Sequence, residues 1–290
     1  MKKKIFLTGA SGKLGSTLIP YLEKNYKLFS VGFKKKPVNG FNLDLTKESK
    51  VKIFLNKARP DIIIHLAALT NVDLCEKNYQ KAYDINCITT KNLINWTKKN
   101  NCRFIYLSTD QIYNNSGFNK ENNPCPQNSY SLTKYIAEKI VLFNKDSVII
   151  RTNFFGIFPN HNGSLLDWFF QSIKKKKRIK LIKDIHFNPL YVDQLCFYIL
   201  EIIKNKRIKG IINLGAKNGI SKGKLLFNIS KKLGIKKFSF SYENFNKLNL
   251  TANRPKNMIM NVTKIEKLLN KPMPKIKDCI NKLAMNINYE

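Results

Sequence analysis

Over the first 150 residues, short runs of consecutive apolar residues alternate with longer stretches whose apolar positions recur every three or four residues. The runs "KIFLTG", "KLFSVGF", "DIIIHLAA", "RFIYLST" and "SVIIRT" read as strands, and residues 14–25, 47–57, 73–100 and 131–143 read as the helices between them. Strands that are apolar at nearly every position must be covered on both faces, the condition of a parallel sheet joined by helical crossovers. The pattern predicts an α/β chain built on a Rossmann-type, doubly wound parallel sheet.

Beyond Arg151 the alternation loses its regularity. "GIFPNHNG" reads as a loop, 164–176 as a helix, "FNPLYVDQLCFYILEII" as a turn entering a helix, "GIINLG" as a short strand, and 221–233 as a helix. A last segment ends in a helix near 262–269. The division expected is a larger part over 1–150 and a smaller C-terminal α/β lobe over 151–290, with segments of the second part free to return to the main sheet. No repeat and no flexible linker is visible.

Composition adds limits to this picture. Hydrophobic residues make up 43% of the 290, enough to fill a sizeable core. A net charge of +33, from 52 Lys and Arg against 19 Asp and Glu, raises nucleic-acid binding as a possibility. The lysines are scattered through every segment, and only "IKKKKRIK" (173–180) is a dense run, which reads as a solvated helix end. Neither a nucleic-acid partner nor a membrane partner is expected. Six cysteines without a C-x-x-C pair, and no His at ligand spacing, indicate reduced thiols and neither a zinc site nor a disulfide framework. "MKKKIFLTGA" has too short an apolar run for a signal peptide or a membrane span, so the cytoplasm is the expected location.

Chemistry enters at "TGASGKLG". Gly9, Gly12 and Gly15, with Ser11 among them, follow the first strand and open the first helix. Glycines there let the backbone approach a pyrophosphate, while the helix N-terminus offers free N–H groups and partial positive charge. The spacing is G-x-x-G-x-x-G. After the second strand, where an acidic residue would hold the ribose hydroxyls of NAD, stand Lys34, Lys35 and Lys36. A cation there pairs with a 2′-phosphate, so NADP(H) is preferred and NAD(H) stays open. Asp44 can reach the adenine edge in such folds, and Ala67 and Ala68 are small enough for the chain to pass under a cofactor. His65 lies inside an apolar strand and reads as a core histidine. His161 and His186 lie in loop-like stretches without partners that the sequence identifies.

Ser108, Thr109 and Asp110 end the fourth strand, at the edge where open α/β sheets bind ligands; there they hydrogen-bond a substrate or cap the next turn. In "NSYSLTKYIAEK", Tyr130 and Lys134 are four apart and share a helical face. A cation near a phenol favours the phenolate and lowers its pKa, which suits Tyr130 to donate a proton to a carbonyl as hydride arrives.

Taken together, "TGASGKLG", "RPDIIIHLAALTNVDLCE", "YDIN", "LSTDQIY", "NSYSLTK" with "AEK", "IIRTNFFG", "NPLYVDQL" and "RPKNMIMNVTKIEKL" resemble the extended short-chain dehydrogenase/reductases, most closely the dTDP-4-dehydrorhamnose reductase family. The resemblance runs nearly end to end. It implies an NAD(P)-binding part over 1–150 and a substrate-binding lobe over 151–290. It implies that Tyr130 is the proton donor, that Lys134 holds the nicotinamide ribose and tunes Tyr130, and that Thr109 binds the substrate carbonyl. Asp110, Phe154 and Arg254 would lie on the substrate. Gly9, Ser11, Gly12, Lys13, Leu14 and Gly15, then Lys34, Asp44 and Leu45, then Ala67, Ala68 and Thr70, would line the cofactor. The implied reaction reduces C4 of a nucleotide-linked 4-keto-6-deoxyhexose; an epimerase or dehydratase of the same superfamily and a non-catalytic regulatory subunit remain alternatives. Ser131 and Thr133 replace a Gly and a Ser common in relatives, Phe154 follows "RTN" where Trp after "RTS" is common, and Thr17 stands where some members carry a glutamate for an interface magnesium. No metal is therefore expected, and a homodimer is left open.

Overall fold

The computed structural model describes residues 2–33, 35–159, 161–235, 237–247 and 250–287. Its first half runs β1 (Lys4–Thr8), α1 (Lys13–Glu23), β2 (Lys27–Gly32), β3 (Phe41–Asn42), α2 (Glu48–Ala58), β4 (Ile62–His65), α3 (Val72–Lys77), α4 (Tyr79–Tyr83), α5 (Thr89–Thr97), β5 (Arg103–Leu107), α6 (Ser129–Val141) and β6 (Val148–Thr152). The second half runs β7 (Phe154–Phe155), α7 (Leu165–Lys174), β8 (Ile179–Ile182), β9 (His186–Phe187), β10 (Leu190–Tyr191), α8 (Val192–Lys204), β11 (Gly210–Leu214), β12 (Ile220–Ser221), α9 (Lys222–Lys232), β13 (Phe240–Glu243), α10 (Thr263–Leu269) and α11 (Ile276–Met285).

Seven parallel strands form one sheet in the order β11-β6-β5-β4-β1-β2-β3. This is the doubly wound arrangement expected from the continuous apolar strands. Alternate residues of each strand face opposite layers. Ile5, Leu7, Ile62 and Ile64 pack with Leu14, Leu18 and Leu22 of α1 and with Leu195 and Ile199 of α8. Phe6, Ile63, Phe104 and Ile149 pack on the other side with Leu55 of α2, Leu93 of α5, and Ala137 and Val141 of α6. Burying about 1.5–3 kcal/mol of apolar side chain at each position on both faces explains why no polar alternation marks these strands.

Two features differ from the sequence reading. The stretch 73–100 is not one helix: Asn78 leaves helical geometry (φ −142°) and its side chain accepts from Lys81 N at 2.9 Å, starting α4 afresh. A π turn, Asp84–Ile88, then leads into α5. The chain also does not end in α10, since α11 follows; Asp278 Oδ2 accepts from Lys275 N at 2.9 Å and caps its start. As the reading allowed, a later segment returns to the main sheet, where β11 lies beside β6; the remaining strands of the later part pair in twos as β10-β7, β12-β9 and β13-β8.

One polar cluster locks α6 to the sheet. Arg151 Nε and Nη2 donate to the two Glu138 oxygens at 2.9 and 2.6 Å, and Nη1 donates to Tyr113 Oη at 2.6 Å. Both charged side chains are 0% exposed. Tyr113 Oη donates onward to Asn213 Oδ1 of β11 at 2.7 Å.

Candidate active site

Register brings the loops after β1, β4 and β5 to one edge, because Thr8 is level with His65 and His65 with Tyr106. The strand order reverses between β1 and β4, the place where open α/β sheets bind ligands.

The glycine turn lies at that reversal. Gly9 has φ +65°, and a Cβ on it would lie 2.7 Å from Ala67 N; a Cβ on Gly15 would lie 2.2 Å from Gly9 O. Only glycine permits this packing of the turn against β4's loop and α1. Gly12 is the N-cap of α1 and supplies no side-chain cap, so the first N–H groups, of Lys13, Leu14 and Gly15, face the turn uncapped, as a dinucleotide pyrophosphate requires. Burial lowers the Lys13 ammonium, with Asp167 opposing. Ser11 Oγ lies against Gly32 at the end of β2. Asp44 Oδ1 is engaged by Thr46 N and Oγ1 at 3.0 and 2.6 Å, and Leu45 is buried. Ala67 N donates to Thr8 Oγ1 at 3.2 Å; Ala68 is half-buried and Thr70 is exposed. Lys34 lies outside the described residues, while Lys35 and Lys36 are exposed. His161 does find a partner: its Nε2 is 3.2 Å from Ser16 Oγ, tying the loop after β7 to the first turn of α1.

His65 is the core histidine expected. Its Nδ1 is 2.7 Å from Thr8 Oγ1 and its Nε2 3.1 Å from Thr90 Oγ1. Burial, with the Lys134 charge nearby, pushes its pKa down to about 3, so the ring stays neutral.

Tyr130 and Lys134 project from α6, whose start is fixed several times over. Asn128 Oδ1 accepts from Ser131 N at 2.9 Å, Ser131 Oγ accepts from Asn128 N at 3.2 Å, and Glu76 Oε2 accepts from Ser129 N at 2.9 Å. Thr133 Oγ1 donates to Tyr130 O at 2.9 Å and accepts from Asn86 Nδ2 at 3.0 Å. The Ser131 and Thr133 departures thus fill capping and bracing roles. Tyr130 is buried, and the Thr109 hydroxyl is its polar neighbour, favouring the phenolate. Thr109 Oγ1 also accepts from Gln111 N at 3.1 Å, so it caps the following turn as well.

The expected lowering of the Tyr130 pKa by Lys134 is absent. Burial, reinforced by Asp110 and Cys75 and opposed by the Thr109 hydrogen bond, pushes the phenol up. Lys134 Nζ instead donates to Leu107 O at 2.7 Å and lies 4.0 Å from the centre of the Tyr106 ring. Burial pushes its pKa down to about 7, with Glu138 and Cys87 opposing. The spacing of four residues set a shared face; the carbonyl at the end of β5 decided where on that face the ammonium goes.

Asp110 is 1% exposed, and burial pushes its carboxyl up to about 6 against the hydrogen bond from Asn153 and the charge of Lys222. Asn153 Nδ2 donates to Asp110 Oδ2 at 2.7 Å, and Thr109 Oγ1 donates to Oδ1 at 3.3 Å. Ser108 Oγ is buried without a hydrogen-bond partner among the described residues, an orphan that a bound polar group would satisfy. Phe154 packs edge-on against Phe158. Arg254 is held by protein groups: Nη2 donates to Asp73 Oδ2 at 2.8 Å and Nη1 to Ala252 O at 2.9 Å, while Ala252 N donates to Asp73 Oδ1 at 2.9 Å. Sequence reasoning noted Asn153 only as the "RTN" departure, without its bond to Asp110, and missed Lys222, which the abundance of lysine hid. Among the described residues, no three His, Cys, Asp or Glu side chains gather as a metal site, and no helix is long and apolar enough to cross a membrane.

Residues 2–288 match the family described as the RmlD substrate binding domain. The spore coat polysaccharide biosynthesis protein SpsK of Bacillus subtilis is 27% identical over 207 residues, covering 70% of each chain. A GDP-6-deoxy-D-talose 4-dehydrogenase of Aggregatibacter actinomycetemcomitans is 31% identical over 229 residues, covering 73% of this chain and 75% of that one. Among solved structures, dTDP-4-dehydrorhamnose reductase from Bacillus anthracis in complex with NADP superposes with a TM-score of 0.86 at 25% identity, covering 99% of this chain and 100% of that one.

Proposed function

Because the chain belongs to the family of the RmlD substrate binding domain, we propose that it is an NAD(P)H-dependent reductase of the C4 keto group of a nucleotide-linked 4-keto-6-deoxyhexose, with NADPH preferred over NADH. The observation that carries this reading is the buried Tyr130 with the Thr109 hydroxyl as its polar neighbour, at the sheet edge that also carries the glycine turn and one helical turn from Lys134. Two hydroxyls side by side suit one carbonyl oxygen: Thr109 holds it and Tyr130 gives it a proton.

The bound nicotinamide supplies the hydride. The chain's residues do the rest. Tyr130, its pKa raised by burial, keeps its proton throughout the neutral range and is poised as an acid. Lys134 supplies positive charge one turn away, offsetting the phenolate left when the proton departs. Gly9, Gly12 and Gly15 admit the pyrophosphate to the start of α1, with Ser11, Lys13 and Leu14 at the same turn and Lys34 reserved for a 2′-phosphate. Asp44, Leu45, Ala67, Ala68 and Thr70 line the remainder of the cofactor path, and Asp110, Phe154 and Arg254 bound the substrate end.

The relatives' names carry both dTDP- and GDP-linked sugars, so the base and the sugar are left to assay. Six free cysteines, five of them buried, suit a reducing cytoplasm. The test is incubation with NADPH and a panel of dTDP-, GDP-, CDP- and UDP-linked 4-ketosugars. Stoichiometric NADPH oxidation with formation of the C4 alcohol supports a reductase, whereas product without net NADPH loss indicates an epimerase.

A further inference from the structure

Asn153 stands between β6, which ends at Thr152 in the main sheet, and β7, which pairs with β10 of the later part. Its backbone O accepts from Leu190 N at 3.0 Å, which fixes it where the two parts of the chain meet. Its side chain reaches the end of β5: Nδ2 donates to Asp110 Oδ2 at 2.7 Å, while Thr109 Oγ1 donates to Asp110 Oδ1 at 3.3 Å. An ionised carboxylate accepts hydrogen bonds and cannot donate them, so Asp110 takes the amide nitrogen and turns the carbonyl oxygen of Asn153 away from itself. Reversing the amide would set two oxygens 2.7 Å apart. Asn153 Oδ1 makes no hydrogen bond among the described residues, and the side chain is half-buried without that oxygen being shut in. An acceptor held in a fixed direction and unused by the chain is matched by a donor on a ligand.

Asp110 follows Thr109 directly and is bonded to its hydroxyl. The amide of Asn153 therefore stands beside the group that the reductase reading places on the C4 carbonyl. Two ring carbons flank that carbonyl. C5 bears a methyl group and the ring oxygen, neither of which donates a hydrogen bond; C3 bears a hydroxyl, which does. Resting on the reductase reading above, we infer that Asn153 Oδ1 accepts a hydrogen bond from the C3 hydroxyl of the sugar and so sets a preference for 3-hydroxy over 3-deoxy ketosugars. A site built to bond a substrate hydroxyl discriminates against the analogue that lacks it, because the acceptor of the site is then left without a partner.

The test uses the full chain saturated with NADPH and compares kcat/KM for a 4-keto-6-deoxyhexose and its 3-deoxy counterpart, each in dTDP- and GDP-linked form, in wild type, Asn153→Ser and Asn153→Leu. Wild type is expected to prefer the 3-hydroxy sugar by about tenfold or more. Ser keeps a donor for Asp110 and lacks the carbonyl that faces the sugar; Leu keeps the bulk and lacks both. Each is expected to bring the preference to within about threefold, whereas a residue that only braced Asp110 would, when changed, lower kcat/KM equally for the two sugars. The wild-type ratio retained in either variant that still binds NADPH, or no preference in wild type, would overturn the assignment and leave the reductase reading intact. A wild-type protein that binds NADPH but reduces neither sugar in either form would overturn the reductase reading itself.

Discussion

Lys134 donates its ammonium proton to the Leu107 carbonyl at 2.7 Å, at the tip of β5, and does not reach across to Tyr130 one turn earlier on α6. The positive charge is thereby anchored to the sheet, directly under the site. Its burial also makes that charge pH-dependent in a range where an exposed lysine is constant.

Lys134 has its pKa lowered to about 7 by burial, so its ammonium form declines as pH rises through that value. If the charge assists Tyr130, kcat/KM of the wild type falls above about pH 7, and Lys134→Arg, which cannot deprotonate, loses that limb of the profile. A limb persisting unchanged in Lys134→Arg would assign it to another group.

The Arg151–Glu138 pair predicts an asymmetric stability response. Arg151→Met alone strands a fully buried carboxylate and is expected to cost about 3–5 kcal/mol in urea unfolding; Arg151→Met with Glu138→Leu recovers most of this. Equal losses in single and double variants would show that the packing of the site, and not the stranded charge, dominates.

The buried Asp110 carboxyl makes stability depend on pH. Its carboxyl is raised from 3.8 to about 6 by burial, so the folded state holds the proton more tightly than the unfolded one. The group's favourable contribution is complete below the unfolded pKa and is lost as pH rises through the folded one. Asp110→Asn is therefore expected to gain about 1–3 kcal/mol at pH 7.5 and little near pH 4, as thermal melts at both pH values would report.

Gly15→Ala drives a Cβ to 2.2 Å from Gly9 O, so the turn must move. NADPH affinity is expected to fall by about tenfold or more. Gly234→Ala is the control: its φ of +72° strains any side chain, but nothing lies within 4 Å of the added carbon. That variant loses about 1–2 kcal/mol of stability and keeps its NADPH affinity.

The parallel sheet was legible because Ile62, Ile63 and Ile64 are buried in succession, a run that only a two-sided cover explains. The break at Asn78 was not, since an Asn cap inside a polar stretch leaves the helical spacing on either side intact. Strands of two residues such as β9 and β12 are too short to carry a period, and α11 lay hidden behind Pro272 and Pro274. In the candidate site, Gly9, Thr109, Tyr130 and Lys134 could be singled out because each belongs to a local motif. The Asn153–Asp110 bond and the approach of Lys222 arise between distant segments, and no local pattern encodes them. The direction of the Tyr130 shift was missed for a related reason. Spacing reveals a neighbouring cation, but desolvation depends on everything packed around the group.

Steady-state turnover of Tyr130→Phe, measured with NADPH and the preferred ketosugar, bears most directly on the proton-donor assignment. A fall in kcat of about 10²–10⁴-fold with NADPH affinity unchanged is expected of a lost general acid. Turnover within about threefold of wild type would contradict it and remove Tyr130 from the mechanism.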